Sequence, residues 1–252
     1  MQMGSQPEPQ SADKFAWLKG FAAVVTTPAQ LVDSLGVYAG KVFVMALLIM
    51  TAASVLTNWF HTNTPALRHQ LGQLVEQRLE VYIAKHPELT AEQQSQLRQR
   101  LQEGLGFSLP RSLVGGLINN TVMLLSLLGL LWLLQPVLAV RWSALSFAVL
   151  VTALGYVSWL GAAGEVLSAA LQVLGQSLQV QPSLGAFWSA QEEYLLFSVL
   201  SRVHLGAVAQ FGLLGFVLAR AAALPTWRGM LWSYAAWGMW LGAIYGVGAL
   251  MQ

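Results

Sequence analysis

Glu165 has the chemistry that stands out first, because it is the only charged side chain in an apolar block, residues 144–174 (ALSFAVLVTALGYVSWLGAAGEVLSAALQVL). A charge placed deep in hydrocarbon costs about 2.5 kcal/mol or more, so where one persists it faces a partner, a cavity or a pathway. Glu165 falls late in the block, where a helix brings it towards the outer interface. Two readings follow: a structural pair near that interface, or a carrier of protons or ions. Arg202 and His204 lie in the outer third of another apolar stretch, near Glu192 and Glu193 in sequence, and are expected to form a polar cluster at the outer surface. Arg202 can snorkel to water. His204, two residues on, would sit on a different helical face and reads as a hydrogen-bonded or solvated histidine before it reads as a metal ligand.

Asn119, Asn120 and Thr121 stand in the middle of a third apolar stretch, and Gln172 and Gln210 lie in two others. Amide side chains at membrane depth pair between helices, at about 0.6–2 kcal/mol each, or line a solute path. Enzyme templates are missing: the chain has no Gly-x-Ser-x-Gly elbow, no His-Glu-x-x-His and no phosphate-cradling glycine loop. Gly155, Tyr156 and Ser158 suggest a hydrolase only until a general base is sought nearby. The four histidines, His61, His69, His86 and His204, lack ligand spacing, and there is no cysteine. No catalytic, cofactor-binding or metal-binding residue is therefore expected, and the protein reads as a non-enzyme.

The elements that must position these side chains follow from composition. Of 252 residues, 56% are hydrophobic and 10% charged, whereas soluble domains carry roughly a quarter charged residues. The net charge of +2 gives no reason to expect a nucleic-acid partner. The expected fold is all-α: a polytopic membrane helix bundle of about five transmembrane helices, with an N-terminal interfacial helix and an extramembrane helical hairpin.

Residues 1–13 read as a disordered tail. Residues 14–36 read as an amphipathic segment, with Phe15, Leu18, Phe21, Ala22 and Val25 at helical spacing and a stop before Pro28. It lies on the membrane surface or packs on the bundle like an ordinary helix. Residues 37–252 form the bundle. The first span is 41–60, and 61–111 leave the membrane as a hairpin with two leucine stripes. Thr90 and Gln93 mark the start of its second arm as a capping box. Further spans are 113–134, the block 144–174, 194–219 and 230–250. A tilt or break is expected at 161–164, where Gly161, Ala162, Ala163 and Gly164 cluster. Placing the N-terminus in the cytoplasm keeps Lys14, Lys19, Lys41, Arg141, Arg220 and Arg228 inside, as the retention of basic residues requires. The expected location is a bacterial inner membrane.

The order of parts from Lys14 onward resembles a bacterial member of the Yip1 family. The resemblance rests on Thr26, Thr27 and Pro28 before the first span, and on the Gln/Glu-rich excursion 89–102. Gly155 with Tyr156 in the third span belongs to it as well. So do Gly206, Gly212 and Gly215 in the fourth span, before a basic turn and an aromatic-rich fifth. Ser201, Arg202, Val203 and His204 stand where the family often carries an acidic residue. The resemblance implies a five-span, partner-binding membrane protein. Function is expected to be that of an adaptor or scaffold binding a protein partner or a second copy of itself within the lipid bilayer. The competing class is a transporter or pore for a small solute or ion, lined by Asn119, Asn120, Glu165 and Gln210.

Overall fold

The structure, a computed structural model, describes residues 16–136, 145–190 and 193–250. The tail 1–13, Lys14, Arg141 and Glu192 lie outside the described residues. Ten α-helices are present among them: α1 (Ala16–Thr26), α2 (Pro28–Leu31), α3 (Ala39–Asn63), α4 (Pro65–Lys85), α5 (Ala91–Gly104), α6 (Leu109–Leu134), α7 (Phe147–Gly175), α8 (Tyr194–Leu200), α9 (Leu205–Ala221) and α10 (Thr226–Leu250). The described residues contain no β-strand, only one isolated bridge between Ser183 and His204.

Three helices, α3, α6 and α7, are long and apolar enough to cross a membrane. They differ in what surrounds them. In its most apolar stretch α7 is 61% buried, against 28% for α3 and for α6, so α7 is the axis and the other two turn most of their surface outward. Leu113, Val114, Leu117, Ile118, Val122 and Leu125 of α6 are all exposed. A contiguous apolar face of this kind fits a lipid surround.

The glycines of α7 do not break it, contrary to expectation: the helix is continuous over 29 residues. A Cβ on Gly164 would lie 2.5 Å from His204 Nδ1 and 2.8 Å from Gly206 Cα, and one on Gly206 would lie 2.5 Å from the Leu160 carbonyl. These residues are small because α9 crosses α7 there at backbone contact, the packing that small residues permit in membranes.

The expected fourth span, 194–219, is divided. Helix α8 ends at Leu200 and α9 begins at Leu205, with 201–204 unwound between them. At 17 residues α9 is a shorter apolar helix than the three long ones. Helix α10 is fixed by buried polar contacts: Trp232 Nε1 donates to the Leu131 carbonyl at 2.9 Å and Ser233 Oγ to the Phe211 carbonyl at 2.6 Å.

Helix α1 packs on α7, which matches the ordinary-helix alternative. Its Phe21 ring meets Tyr156 edge-on at 5.1 Å, Trp159 Nε1 donates to the Phe21 carbonyl at 3.0 Å, and Val24 is fully buried. Pro28 opens α2, where its missing N–H costs nothing.

The hairpin consists of α4 and α5. Its second arm starts with the expected capping box: Gln93 N donates to Thr90 Oγ1 at 3.3 Å, and Thr90 N to Gln93 Oε1 at 2.9 Å. Helix α3 runs past Phe60 to Asn63, so His61 belongs to the membrane helix and not to the hairpin. Leu67 and Leu74 of α4 form a small second core with Leu178, Ala190 and Phe197, whereas α5 has no buried residue.

Candidate functional site

Unwinding a helix at 201–204 frees backbone groups that hydrocarbon cannot satisfy. The connection after α7 takes up two of them. Leu184 N donates to the Val203 carbonyl at 3.1 Å and Leu205 N to the Pro182 carbonyl at 3.2 Å. His204 closes the arrangement as the N-cap of α9, with its Nδ1 accepting from Ala207 N at 3.2 Å. This corrects the surface-cluster expectation: His204 turns inward to start a helix, and Gly164 leaves room for its ring.

A chain of side chains holds the break to the rest of the bundle. Gln172 Nε2 donates to the Leu178 carbonyl at 3.0 Å and to Gln181 Oε1 at 3.2 Å. Its Oε1 is therefore the acceptor for His61 Nε2, at 2.6 Å. Gln181 Nε2 donates to Ser201 Oγ at 2.8 Å, and Ser201 Oγ to the Phe197 carbonyl at 2.7 Å. The line runs from the end of α3 through α7 to the end of α8, and every buried polar group in it has a partner.

This line forms part of the wall of a cavity of about 400 Å³, within the range of small-molecule pockets. Asn119, Asn120, Glu165, Arg202, His204 and Gln210 all line it. Each sits differently. Asn120 is buried and donates to Ser54 Oγ at 3.4 Å, the interhelical pair expected of a membrane amide. Asn119 is exposed. Thr121, weighed beside them, donates to the Leu117 carbonyl of its own helix at 2.7 Å. Gln210 is only 5% exposed, and among the described residues its amide has no hydrogen-bond partner. Gly161 provides the space it occupies, since a Cβ there would overlap the Gln210 amide.

Glu165 and Arg202 are half-buried and face the same cavity from α7 and from the break. Among the described residues, however, they form no ion pair, and Glu165 accepts no hydrogen bond. The Arg202 guanidinium lies over the Trp240 ring at 5.3 Å, a cation–π contact. Glu193 does not join them; it is exposed at the N-cap of α8. Tyr194, Phe197, Phe211, Trp237 and Trp240 make the apolar wall, with Phe211 and Trp237 stacked at 4.9 Å.

Sequence reasoning missed His61, Gln181 and Ser201 as parts of this site. The available signal was the run Ser201, Arg202, Val203, His204, four residues too polar for the middle of an apolar segment. Compared with protein-family models, with curated proteins and with solved structures, the chain gives no match.

Proposed function

We propose that this helical membrane protein binds and passes a small polar solute through the cavity between α6, α7 and α9. The observation that carries the reading is the convergence of Asn119, Asn120, Glu165 and Gln210, from three helices, on one space of about 400 Å³. Discontinuous helices whose ends face a cavity are a recurring way to build solute sites in membranes, and the α8–α9 break supplies one here. In this reading the chain crosses the membrane five times, with α8 and α9 together making the fourth crossing. The N-terminus lies on the cytoplasmic side of an inner membrane, which puts Lys41, Arg220 and Arg228 at the cytoplasmic ends of α3, α9 and α10. The chain catalyses no reaction.

The test is flux. Liposomes holding the purified chain should release a trapped panel of urea, glycerol and alanine faster than protein-free liposomes for at least one member, and Gln210→Leu should slow that release. Equal rates for every solute, with and without protein, would refute passage.

A second reading, an adaptor that binds a protein partner or a second copy, is favoured by the hairpin. Helix α5 buries nothing and leaves Leu101 exposed, and the Yip1-like order of parts agrees with it. Deletion of residues 66–102 should then abolish co-purification of a stoichiometric partner or of a dimer. Retention of either after the deletion excludes the hairpin as the docking surface.

A further inference from the structure

The cavity's charges go beyond a general preference for polar solutes. One carboxyl group, Glu165, and one guanidinium group, Arg202, line the same cavity and do not close into an ion pair. A directly paired carboxylate and guanidinium would have used up each other's hydrogen-bonding capacity. Here both remain available to an occupant.

We propose that the cavity binds a zwitterion, a small solute carrying an anionic and a cationic group a few bonds apart. The anionic group lies beside Arg202 and the cationic group beside Glu165. The proposal rests on the solute-cavity reading above and names its substrate class. Other features of the site point the same way. A singly charged solute neutralises one of the two residues and leaves the other facing its own like charge, which disfavours that solute relative to a zwitterion. The N-terminus of α9 begins at Leu205, directly after Arg202 and His204, and adds partial positive charge on the side of the anionic group. Gln210, nine-tenths buried and without a hydrogen-bond partner among the described residues, offers a donor and an acceptor to either group. The aromatic wall of Tyr194, Phe197 and Trp237 gives an apolar substituent somewhere to lie. The volume suits a molecule of amino-acid size.

Zwitterions of this kind exist both as free solutes and as the headgroup of ethanolamine phospholipids, so the experiment separates the two sources. The full chain is placed in nanodiscs of phosphatidylglycerol alone and titrated calorimetrically with alanine, propionate, propylammonium and glycerol. Alanine should bind at least tenfold more tightly than either singly charged probe. Glu165→Gln should turn the preference towards propionate, and Arg202→Gln towards propylammonium. The exchanged pair, Glu165→Arg with Arg202→Glu, should keep the preference for alanine, which preserves the test if either single variant fails to fold. Repeating the alanine titration with phosphatidylethanolamine in the nanodisc identifies the source: weakened alanine binding supports a headgroup site, and unchanged binding supports a free solute. Singly charged or neutral probes that bind as tightly as alanine overturn the zwitterion while leaving the solute cavity standing. Absence of binding by all four probes in both lipids overturns the zwitterion and the cavity reading together.

Discussion

The α7–α9 crossing and the α4–α5 hairpin are built from the same polar residue types, Gln, Glu and Arg, and use them in opposite ways. In the hairpin these side chains face outward and bond within their own helix, as Gln99 does to Glu103 at 3.0 Å, or across the two arms, as Arg98 does to Glu76 at 3.0 Å. Water can replace any of these contacts. At the crossing the polar side chains face inward, and Gln172, Gln181 and Ser201 bond to one another and to backbone carbonyls. The difference teaches that residue type is a weak guide in this chain and that surroundings decide whether a glutamine is solvent decoration or structure.

The largest expected effect that sharpens this contrast comes from two glycines. Gly206→Ala puts a Cβ 2.5 Å from the Leu160 carbonyl oxygen and 2.7 Å from Gly164 Cα, both backbone atoms. The crossing must open, at about 1–3 kcal/mol. Gly72→Ala in α4 meets only Leu105 Cδ1 at 3.6 Å and should stabilise slightly, because alanine favours a helix interior by roughly 0.5–1 kcal/mol. Reversible unfolding in mixed detergent micelles reads both, and equal losses would erase the contrast.

Next in size is the polar line in the cavity wall. Gln181→Leu removes one of the two acceptors of Gln172 Nε2 and the donor to Ser201 Oγ, and losing these two hydrogen bonds should cost about 1–3 kcal/mol. The exposed Gln99→Leu should stay within about 0.5 kcal/mol of wild type. Thermal melts in one detergent compare the pair directly.

Thr90→Ala, which removes the capping box, should cost about 1 kcal/mol of local hairpin stability. Amide exchange across residues 91–104 should quicken, while that of α7 stays unchanged.

The smallest effect concerns Glu88. A hydrogen bond from its own backbone, then one from His86, hold its carboxyl below the ordinary value of 4.5. A depressed carboxylate adds stability above the unfolded value and loses it as pH falls through the folded one. Fraying of the α4–α5 turn should therefore begin below about pH 4.5 and grow as the solution is acidified. Carbon-detected titration of Glu88 checks the direction, and a value above 4.5 would contradict it.

Much of the outline was legible in the sequence because it depends on local pattern. The apolar lengths of α3 and α6 show in composition, the α5 start shows in Thr90 and Gln93, and the polar candidates were visible as exceptions in apolar runs. The break at 201–204 was not legible. No glycine or proline marks it, and what stabilises it lies about twenty residues earlier in sequence, in Gln181, Pro182 and Leu184. The glycines of α7 misled for a related reason: Gly161 and Gly164 answer to Gln210, His204 and Gly206 on another helix, a relation that periodicity along one helix does not carry. Glu165 likewise could be placed near a membrane boundary by counting, but its meeting with Arg202 depends on the break.

The central claim is that a water-reached polar cavity lies inside this membrane bundle. The chain has no cysteine, so single replacements report without background. Asn119→Cys, Ser168→Cys and Gln210→Cys place a thiol on the cavity wall, and Val122→Cys places one on the outward face of α6. In sealed membrane vesicles a small charged thiosulfonate reagent should modify the first three and leave Val122→Cys unreacted. Failure of all three cavity positions to react, or reaction of Val122→Cys at the same rate, would contradict the account.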